Sequence, residues 1–186
     1  MTLRKKLTIF GILITPIFFT NMSVRQENSE RSHCLLDAQS GLDSLAFEDY
    51  KQSANLVLEN HKTKMTGEML ANSWKKTKLE TGIEVPVHLA LSQAFLESSF
   101  GESKLSKAKN NPYSIRLGNG TYKNFRTLQE GIDSYYSLIS RKYLSCKSLE
   151  RLLVSFTNCK GYRYAEDPFY ETRLKETIKK FQSFGS

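Results

Sequence analysis

The protein has 186 residues and a mass of 21.3 kDa, which is enough chain for one ordinary domain and too little for two comfortable ones. Its content of 39% hydrophobic and 25% charged residues excludes wholesale disorder and, since only the first 20 residues could enter a membrane, a polytopic membrane protein. The net charge of +8, from 27 basic and 19 acidic residues, favours an anionic partner such as cell wall, nucleic acid or lipid headgroups.

The first segment predicts export. Basic residues 4–6 precede a short apolar run, residues 7–20, which is the order found in secretory signals. The run is shorter than the roughly 20 residues that a membrane-spanning helix needs. Because residues 21–23 make a poor cleavage site, residues 1–24 are expected to be either a cleaved signal peptide or a retained membrane anchor through residues 7–20. Either outcome places the protein in the periplasm, cell envelope or medium, and argues against a nucleic-acid partner.

A polar linker is expected over residues 25–40, followed by one mainly helical domain over residues 41–186. Apolar residues recur near the 3.6-residue period through most of this domain. The predicted helices are a first around Leu45–Leu58, a second over Met65–Leu79 closed by Gly82, a third from Pro86 to about Phe100, a fourth after Thr127, a fifth over Leu149–Phe156 and a sixth over Pro168–Phe181.

Two local signals mark the middle of the domain. Residues 113–125 contain two short runs of β-forming residues around Gly118-Asn119-Gly120, which predicts a small β-hairpin lobe. Thr127 and Glu130 then have the spacing of a capping box, which predicts the start of the fourth helix.

Three cysteines, Cys34, Cys146 and Cys159, leave at least one without an intramolecular partner. Cys146 and Cys159 flank the fifth helix and are expected to form a disulfide if the compartment is oxidising. Cys34 would then be a free or intermolecular thiol. Three reduced thiols stay the alternative.

Glu97 is the candidate catalytic residue. It ends an otherwise apolar helical stretch, and Ala90, Gln93 and Ala94 precede it by seven, four and three residues, so all four share one helical face. Small and amide side chains on that face favour a cleft over a tight core. A half-buried carboxyl there would have a raised pKa, as a general acid requires.

Four motifs surround this residue. Residues 91–101 read LSQAFLESSFG, residues 110–116 read NNPYSIR, residues 125–132 read FRTLQEGI, and residues 164–170 read YAEDPFY. In this order they resemble the segments LAQAxLESGWG, NNLFGIK, YxSxxEGI and YATDPxY of the glucosaminidase-type peptidoglycan hydrolases, glycoside hydrolase family 73. The resemblance covers about half of the chain.

The resemblance implies a lysozyme-like helical domain with a small β-lobe, which cleaves the β-1,4 bond after N-acetylglucosamine in the glycan strands of peptidoglycan. Glu97 is then the general acid, and Tyr164 orients water or the sugar, unless it is a core tyrosine. The implied substrate-binding residues are Gln93, Asn110, Asn111, Tyr113 and Tyr170. Asn110 and Asn111 have a purely structural alternative, which is to hold the turn into the hairpin.

One departure from the family pattern concerns the second carboxylate that glycoside hydrolysis usually needs. Residues 113–127 contain no Asp or Glu. Glu102, Glu166, Asp167 or the acetamido group of the substrate are the possible substitutes. A lytic transglycosylase that uses a single acid, and a non-catalytic wall-binding or scaffold protein that keeps the fold, therefore stay open as alternatives.

No cofactor or metal is expected. The three histidines, His33, His61 and His88, lack the spacing of a metal site, and the sequence has no glycine-rich phosphate loop.

Overall fold

Seven α-helices make up most of residues 40–185, the part of the chain that the computed structural model describes. They are α1 (residues 40–58), α2 (Gly67–Thr81), α3 (Val87–Ser98), α4 (Lys104–Lys109), α5 (Leu128–Ile139), α6 (Leu149–Val154) and α7 (Tyr170–Gln182). A π-helical turn, Ser140–Leu144, continues α5, and a 3-10 turn, Ser183–Gly185, follows α7. The mainly helical class is therefore confirmed.

The predictions made for residues 1–39 lie outside the described residues. These are the signal or anchor, most of the linker and the thiol of Cys34. Within residues 40–185, no helix is long and apolar enough to cross a membrane.

Local capping signals explain where the main helices begin and end. The hydroxyl of Thr66 accepts a hydrogen bond from the Met69 N–H at the start of α2, and Gly82 closes α2 with a φ of 69°. At the start of α5, the Thr127 hydroxyl accepts from the Glu130 N–H, while the Glu130 carboxylate accepts from the Arg126 N–H at 2.9 Å. The Thr127 hydroxyl thus satisfies one orphan N–H of the first turn, as a capping box predicts, while the Glu130 carboxylate accepts from Arg126, one residue before the N-cap.

The predicted β-hairpin lobe is reduced to a turn with a single antiparallel bridge, Arg116 to Tyr122. The Gly120 N–H bonds to the Leu117 carbonyl, and Gly120 has a φ of 82°, the conformation of a three-residue hairpin loop. The glycines and Asn119 therefore determine the turn. The flanking residues do not extend this turn into a ladder, so the expected β-hairpin lobe was overestimated. The turn, residues 115–123, is called the first groove turn below.

A second turn of the same kind lies at residues 156–164, where the sequence predicted none. Its bridge joins Thr157 and Arg163, and Gly161 has a φ of 86° and bonds through its N–H to the Asn158 carbonyl. This second groove turn lies between α6 and α7.

The core is built around α3, which packs against α7, while α2 packs against α5. All six side chains from Leu89 to Ala94 are fully buried, so α3 is a central helix rather than an amphipathic surface one. The carboxyl end of this rigid helix carries Glu97. The fold thereby fixes the position of the candidate acid.

Candidate active site

A groove of about 910 Å³ opens beside the carboxyl end of α3. One wall is the first groove turn. The other wall is formed by the second groove turn and the start of α7, and Glu97 lies between them. Of the residues expected at the site, Glu97, Tyr113, Tyr164 and Tyr170 line this groove, although they are up to 73 positions apart in the sequence.

A sharp turn after α3 presents Glu97 to the groove. Ser99, Phe100 and Gly101 have φ values of 53°, 59° and 84°, and Phe100 is a bulky, buried residue in a conformation that costs energy. The Ser98 hydroxyl accepts from the Gly101 N–H at 2.8 Å and donates to the Pro112 carbonyl. The turn is thereby tied to the segment that leads into the first groove turn.

The Glu97 carboxyl has a pKa above its ordinary value. Burial raises the pKa of its carboxyl, while a hydrogen bond from Tyr170 and the charges of Arg116 and Arg173 partly offset the rise. Burial also holds the pKa of the Tyr170 hydroxyl well above its ordinary value, so Tyr170 keeps its proton and acts as a donor. A carboxyl in such a setting can hold its proton at a pH where an exposed one has lost it.

Two stacked tyrosines line the groove together with Glu97. The rings of Tyr164 and Tyr170 have centroids 5.7 Å apart with an interplanar angle of 29°. The Tyr164 hydroxyl donates to the Tyr113 carbonyl at 3.3 Å, a long distance for an O–H donor. Tyr162 lies farther along the same wall with 69% of its surface exposed. The sequence analysis missed Tyr162. Its spacing of two residues from Tyr164 is a usable signal, because residues i and i+2 of an extended segment share one face.

Gln93 and Tyr113 were expected to contact substrate, and both are buried. Gln93 is 0% exposed, and its amide is hydrogen-bonded to Tyr135 and Tyr170 behind the groove. Tyr113 is 1% exposed, and its ring stacks on that of Tyr135 with centroids 3.6 Å apart. Gln93 therefore reaches the groove only through Tyr170. Tyr113 lines the groove with very little exposed surface, and its carbonyl accepts from Tyr164.

The side chains of Asn110 and Asn111 are used to hold the chain in place. The Asn110 amide donates to the carbonyls of Phe125 and Arg126, each at 3.1 Å. The Asn111 amide donates to two carbonyls of the first groove turn at 2.9 Å and accepts from the Ile115 N–H. Of the two roles that the sequence left open, this geometry favours holding the turn over binding sugar.

Three carboxylates were candidates for the second acid, and the structure separates them. Glu102 pairs with Lys107 and does not line the groove. Asp167 lines the groove, but it accepts from the Phe169 N–H and pairs with Arg173, so it serves the start of α7. Glu166 projects from the groove wall with 96% of its side chain exposed, 3.9 Å from the Arg116 guanidinium.

Arg116 interacts electrostatically with both Glu97 and Glu166. Its guanidinium lies over the Tyr122 ring, 4.9 Å from the centroid, and it attracts the charges of both Glu97 and Glu166. No cluster of three or more His, Cys, Asp or Glu side chains suited to a metal ion occurs within residues 40–185.

A disulfide between Cys146 and Cys159 anchors the second groove turn. The Cys159 N–H also donates to the Lys142 carbonyl at 2.8 Å. On the other side of this turn, the Glu171 carboxylate accepts from the Phe156 N–H at 2.8 Å and pairs with Arg163. The groove wall that carries Tyr162 and Tyr164 is therefore fastened to both the π-helical turn and α7.

Comparison with known families accounts for this arrangement. Residues 71–183 match the model of the glucosaminidase family, described as mannosyl-glycoprotein endo-beta-N-acetylglucosaminidase. No individual curated protein is significantly similar to the chain. The match spans α2 to α7 and both walls of the groove. The chain therefore belongs to the glucosaminidase family, glycoside hydrolases of the endo-β-N-acetylglucosaminidase type that act on peptidoglycan.

Proposed function

We propose that the protein cleaves the β-1,4 bond after N-acetylglucosamine in peptidoglycan, with Glu97 as the proton donor, in a lysozyme-like domain. The observation that carries the proposal is the position of Glu97, a carboxyl that lines the groove and whose pKa burial raises. Glu97 transfers its proton to the glycosidic oxygen as the bond to the sugar breaks. The rate of cleavage then falls as the pH rises through the pKa of Glu97.

The groove walls supply contacts for the glycan strand. Tyr162 offers an exposed ring face for the apolar side of a sugar. The long bond from Tyr164 to the Tyr113 carbonyl is weak enough to exchange for a bond to water or to a sugar hydroxyl beside Glu97. Tyr164 is proposed to assist in this way.

Glu166 is the proposed second carboxylate. It is the groove carboxylate, other than Glu97, that no backbone N–H and no close ion pair engages in the described structure. Its exposure keeps it in contact with water, as a general base requires, and the Arg116 guanidinium lies 3.9 Å away on the groove side. In this arrangement Glu166 activates the water that attacks the sugar after Glu97 has protonated the leaving oxygen.

A lytic transglycosylase is the second candidate, favoured by the lack of any Asp or Glu in residues 113–127. Such an enzyme needs the acid alone, because the sugar's own hydroxyl replaces water. A Glu166→Gln variant separates the two reactions. Hydrolysis that uses Glu166 should slow by at least about a hundredfold, whereas formation of an anhydro product should continue.

The protein is further proposed to be exported, either free or anchored through residues 7–20. Three observations support export: the basic and apolar order of residues 4–20, a disulfide of the kind that persists in oxidising compartments, and a polymeric substrate outside the cytoplasm. Fractionation of cells that produce the full chain, followed by immunoblotting, should find it outside the cytoplasm. Recovery with the cytoplasmic fraction would overturn this part of the proposal.

Glu97→Gln tests the assignment of the acid, with Glu102→Gln as the matched control. Both substitutions remove one charge near the end of α3, but Glu102 lies outside the groove and pairs with Lys107. We expect Glu97→Gln to lose at least about a hundredfold in the release of soluble fragments from purified peptidoglycan, and Glu102→Gln to stay close to wild type. A Glu97→Gln activity above about a tenth of wild type would refute the assignment.

A further inference from the structure

A chain of three hydrogen bonds, the first two of them buried, ends on Glu97. The Tyr135 hydroxyl donates to the Gln93 side-chain oxygen at 2.6 Å, and the Gln93 side-chain nitrogen donates to the Tyr170 hydroxyl oxygen at 2.8 Å. The Tyr170 hydroxyl then hydrogen-bonds to the Glu97 carboxylate. The chain joins α5, α3 and α7, and the family motifs contain no residue from its far end, Tyr135.

The orientation of the Gln93 amide fixes the direction of the whole chain. An amide has an acceptor end and a donor end, so an oxygen engaged by Tyr135 leaves the nitrogen facing Tyr170. The Tyr170 oxygen is then an acceptor toward Gln93, and its single proton is available for Glu97. If the amide were reversed, its oxygen would accept the Tyr170 proton, and Glu97 would lose its donor.

Burial makes this orientation persistent. Gln93 and Tyr135 are each 0% exposed and Tyr170 is 3% exposed, so bulk water does not compete for these bonds. The Tyr135 ring is in addition held by its stacking on Tyr113, at an interplanar angle of 8°. A buried amide with both ends satisfied resists rotation, because rotation would leave polar groups without partners.

We propose that Tyr135 and Gln93 are positioning residues that aim the Tyr170 hydroxyl at Glu97, and that this hydroxyl stabilises the carboxylate that Glu97 becomes when it gives up its proton. The proton of Glu97 goes to the glycosidic oxygen, while Tyr170 keeps its own. A donor that favours the ionised product makes the acid stronger in the transition state. This inference rests on the proposed role of Glu97.

The test compares three Tyr→Phe variants. Tyr170→Phe and Tyr135→Phe break the chain at its two ends and retain the rings. Tyr136→Phe is the matched control, because Tyr136 is the next residue on α5, is equally buried, and has its hydroxyl on Tyr50 rather than on Gln93.

The first readout is the pKa of Glu97 in the substrate-free protein, followed by NMR of the ¹³C-labelled glutamate carboxyls. Because the Tyr170 hydrogen bond lowers this pKa, we expect it to rise in Tyr170→Phe and, by a smaller amount, in Tyr135→Phe. It should not change in Tyr136→Phe. This readout needs no catalysis, so it distinguishes a failure of the inference from a failure of the proposed function.

The second readout is the pH profile of peptidoglycan cleavage. We expect kcat to fall about tenfold in Tyr170→Phe, while the alkaline limb of the profile moves to higher pH, with the same pattern at smaller size in Tyr135→Phe. A merely structural role would lower kcat without moving the limb. The two chain variants act from opposite ends, so either one decides the question if it folds.

Either of two results would overturn the inference. One is a Glu97 pKa and alkaline limb that stay at their wild-type values in the folded chain variants. The other is a shift of equal size in Tyr136→Phe. By contrast, a raised Glu97 pKa in the chain variants together with full activity of Glu97→Gln would support the chain and refute the proposed acid.

Discussion

Gly131 allows the segment that leads into the first groove turn to pass directly against α5. A Cβ atom at this position would lie 2.1 Å from the Asn110 carbonyl oxygen and 3.1 Å from the Pro112 ring. Real Cβ atoms essentially never come within 3.0 Å of such an atom, so the side chain of Gly131→Ala must displace the segment. The hydrogen bonds of Asn110 to the carbonyls of Phe125 and Arg126 then lengthen or break.

The sign of the effect makes Gly131→Ala a sharp test. In the interior of an unobstructed helix, alanine in place of glycine stabilises a protein by up to about 1 kcal/mol. Here overpacking costs about 1–3 kcal/mol and the strained hydrogen bonds about 1 kcal/mol each. We therefore expect a net loss of about 2–4 kcal/mol in the free energy of unfolding.

Urea unfolding followed by circular dichroism measures this change, with Gly41→Ala as the control. Gly41 lies in helix α1, and a Cβ there would meet nothing within 4 Å, so its alanine variant should be neutral or slightly more stable. Activity should fall in Gly131→Ala, since the displaced segment bonds to the turn after Glu97. A Gly131→Ala protein as stable as wild type would refute the close approach.

Three further predictions concern the groove and the core. Replacing Cys146 and Cys159 by serine should lower the free energy of unfolding by about 3 kcal/mol, because opening the 13-residue loop raises the entropy of the unfolded chain. The same change should raise KM more than it lowers kcat, since it loosens a groove wall. An unchanged urea midpoint would contradict the expected loss of stability. Although burial raises the pKa of Asp133, bonds from Ser73, Gln129 and Lys76 lower it overall, so Asp133 contributes stability at neutral pH that is lost as the pH falls through its folded-state pKa. Thermal unfolding of Asp133→Asn should accordingly show a deficit at pH 7 that shrinks in acid, and a deficit independent of pH would exclude this role. Glu166→Gln should keep the Tm of wild type while hydrolysis falls, and full hydrolysis would assign the second carboxylate elsewhere.

The sequence predicted the elements whose signals are local. The start of α5 follows from Thr127 and Glu130, whose side chains accept from backbone N–H groups within four residues, and the end of α2 follows from Gly82. Helix α4 was missed, because KLSKAK has six residues and no apolar periodicity. The hairpin was overestimated, because Gly120 specifies a turn while the length of a ladder depends on what the strands pack against.

The site could be predicted only in part, for a similar reason. Helical spacing places Gln93 on the same face as Glu97, but spacing does not show whether a residue on that face is exposed in the groove or buried behind it. The partner that buries the Gln93 amide is Tyr135, 42 positions away, and periodicity alone marks Tyr135 as a core residue. The exposed Tyr162 depends on the second groove turn, which the sequence analysis did not predict.

The central claim is that Glu97 drives hydrolysis of peptidoglycan after N-acetylglucosamine. Mass spectrometry of purified peptidoglycan digested by residues 25–186, beside the Glu97→Gln variant, tests it most directly. The account predicts fragments with reducing N-acetylglucosamine ends from the wild-type protein and none from the variant. Anhydro-muramyl ends would instead identify a transglycosylase, and a folded, wall-bound protein that releases no fragments would contradict catalysis altogether.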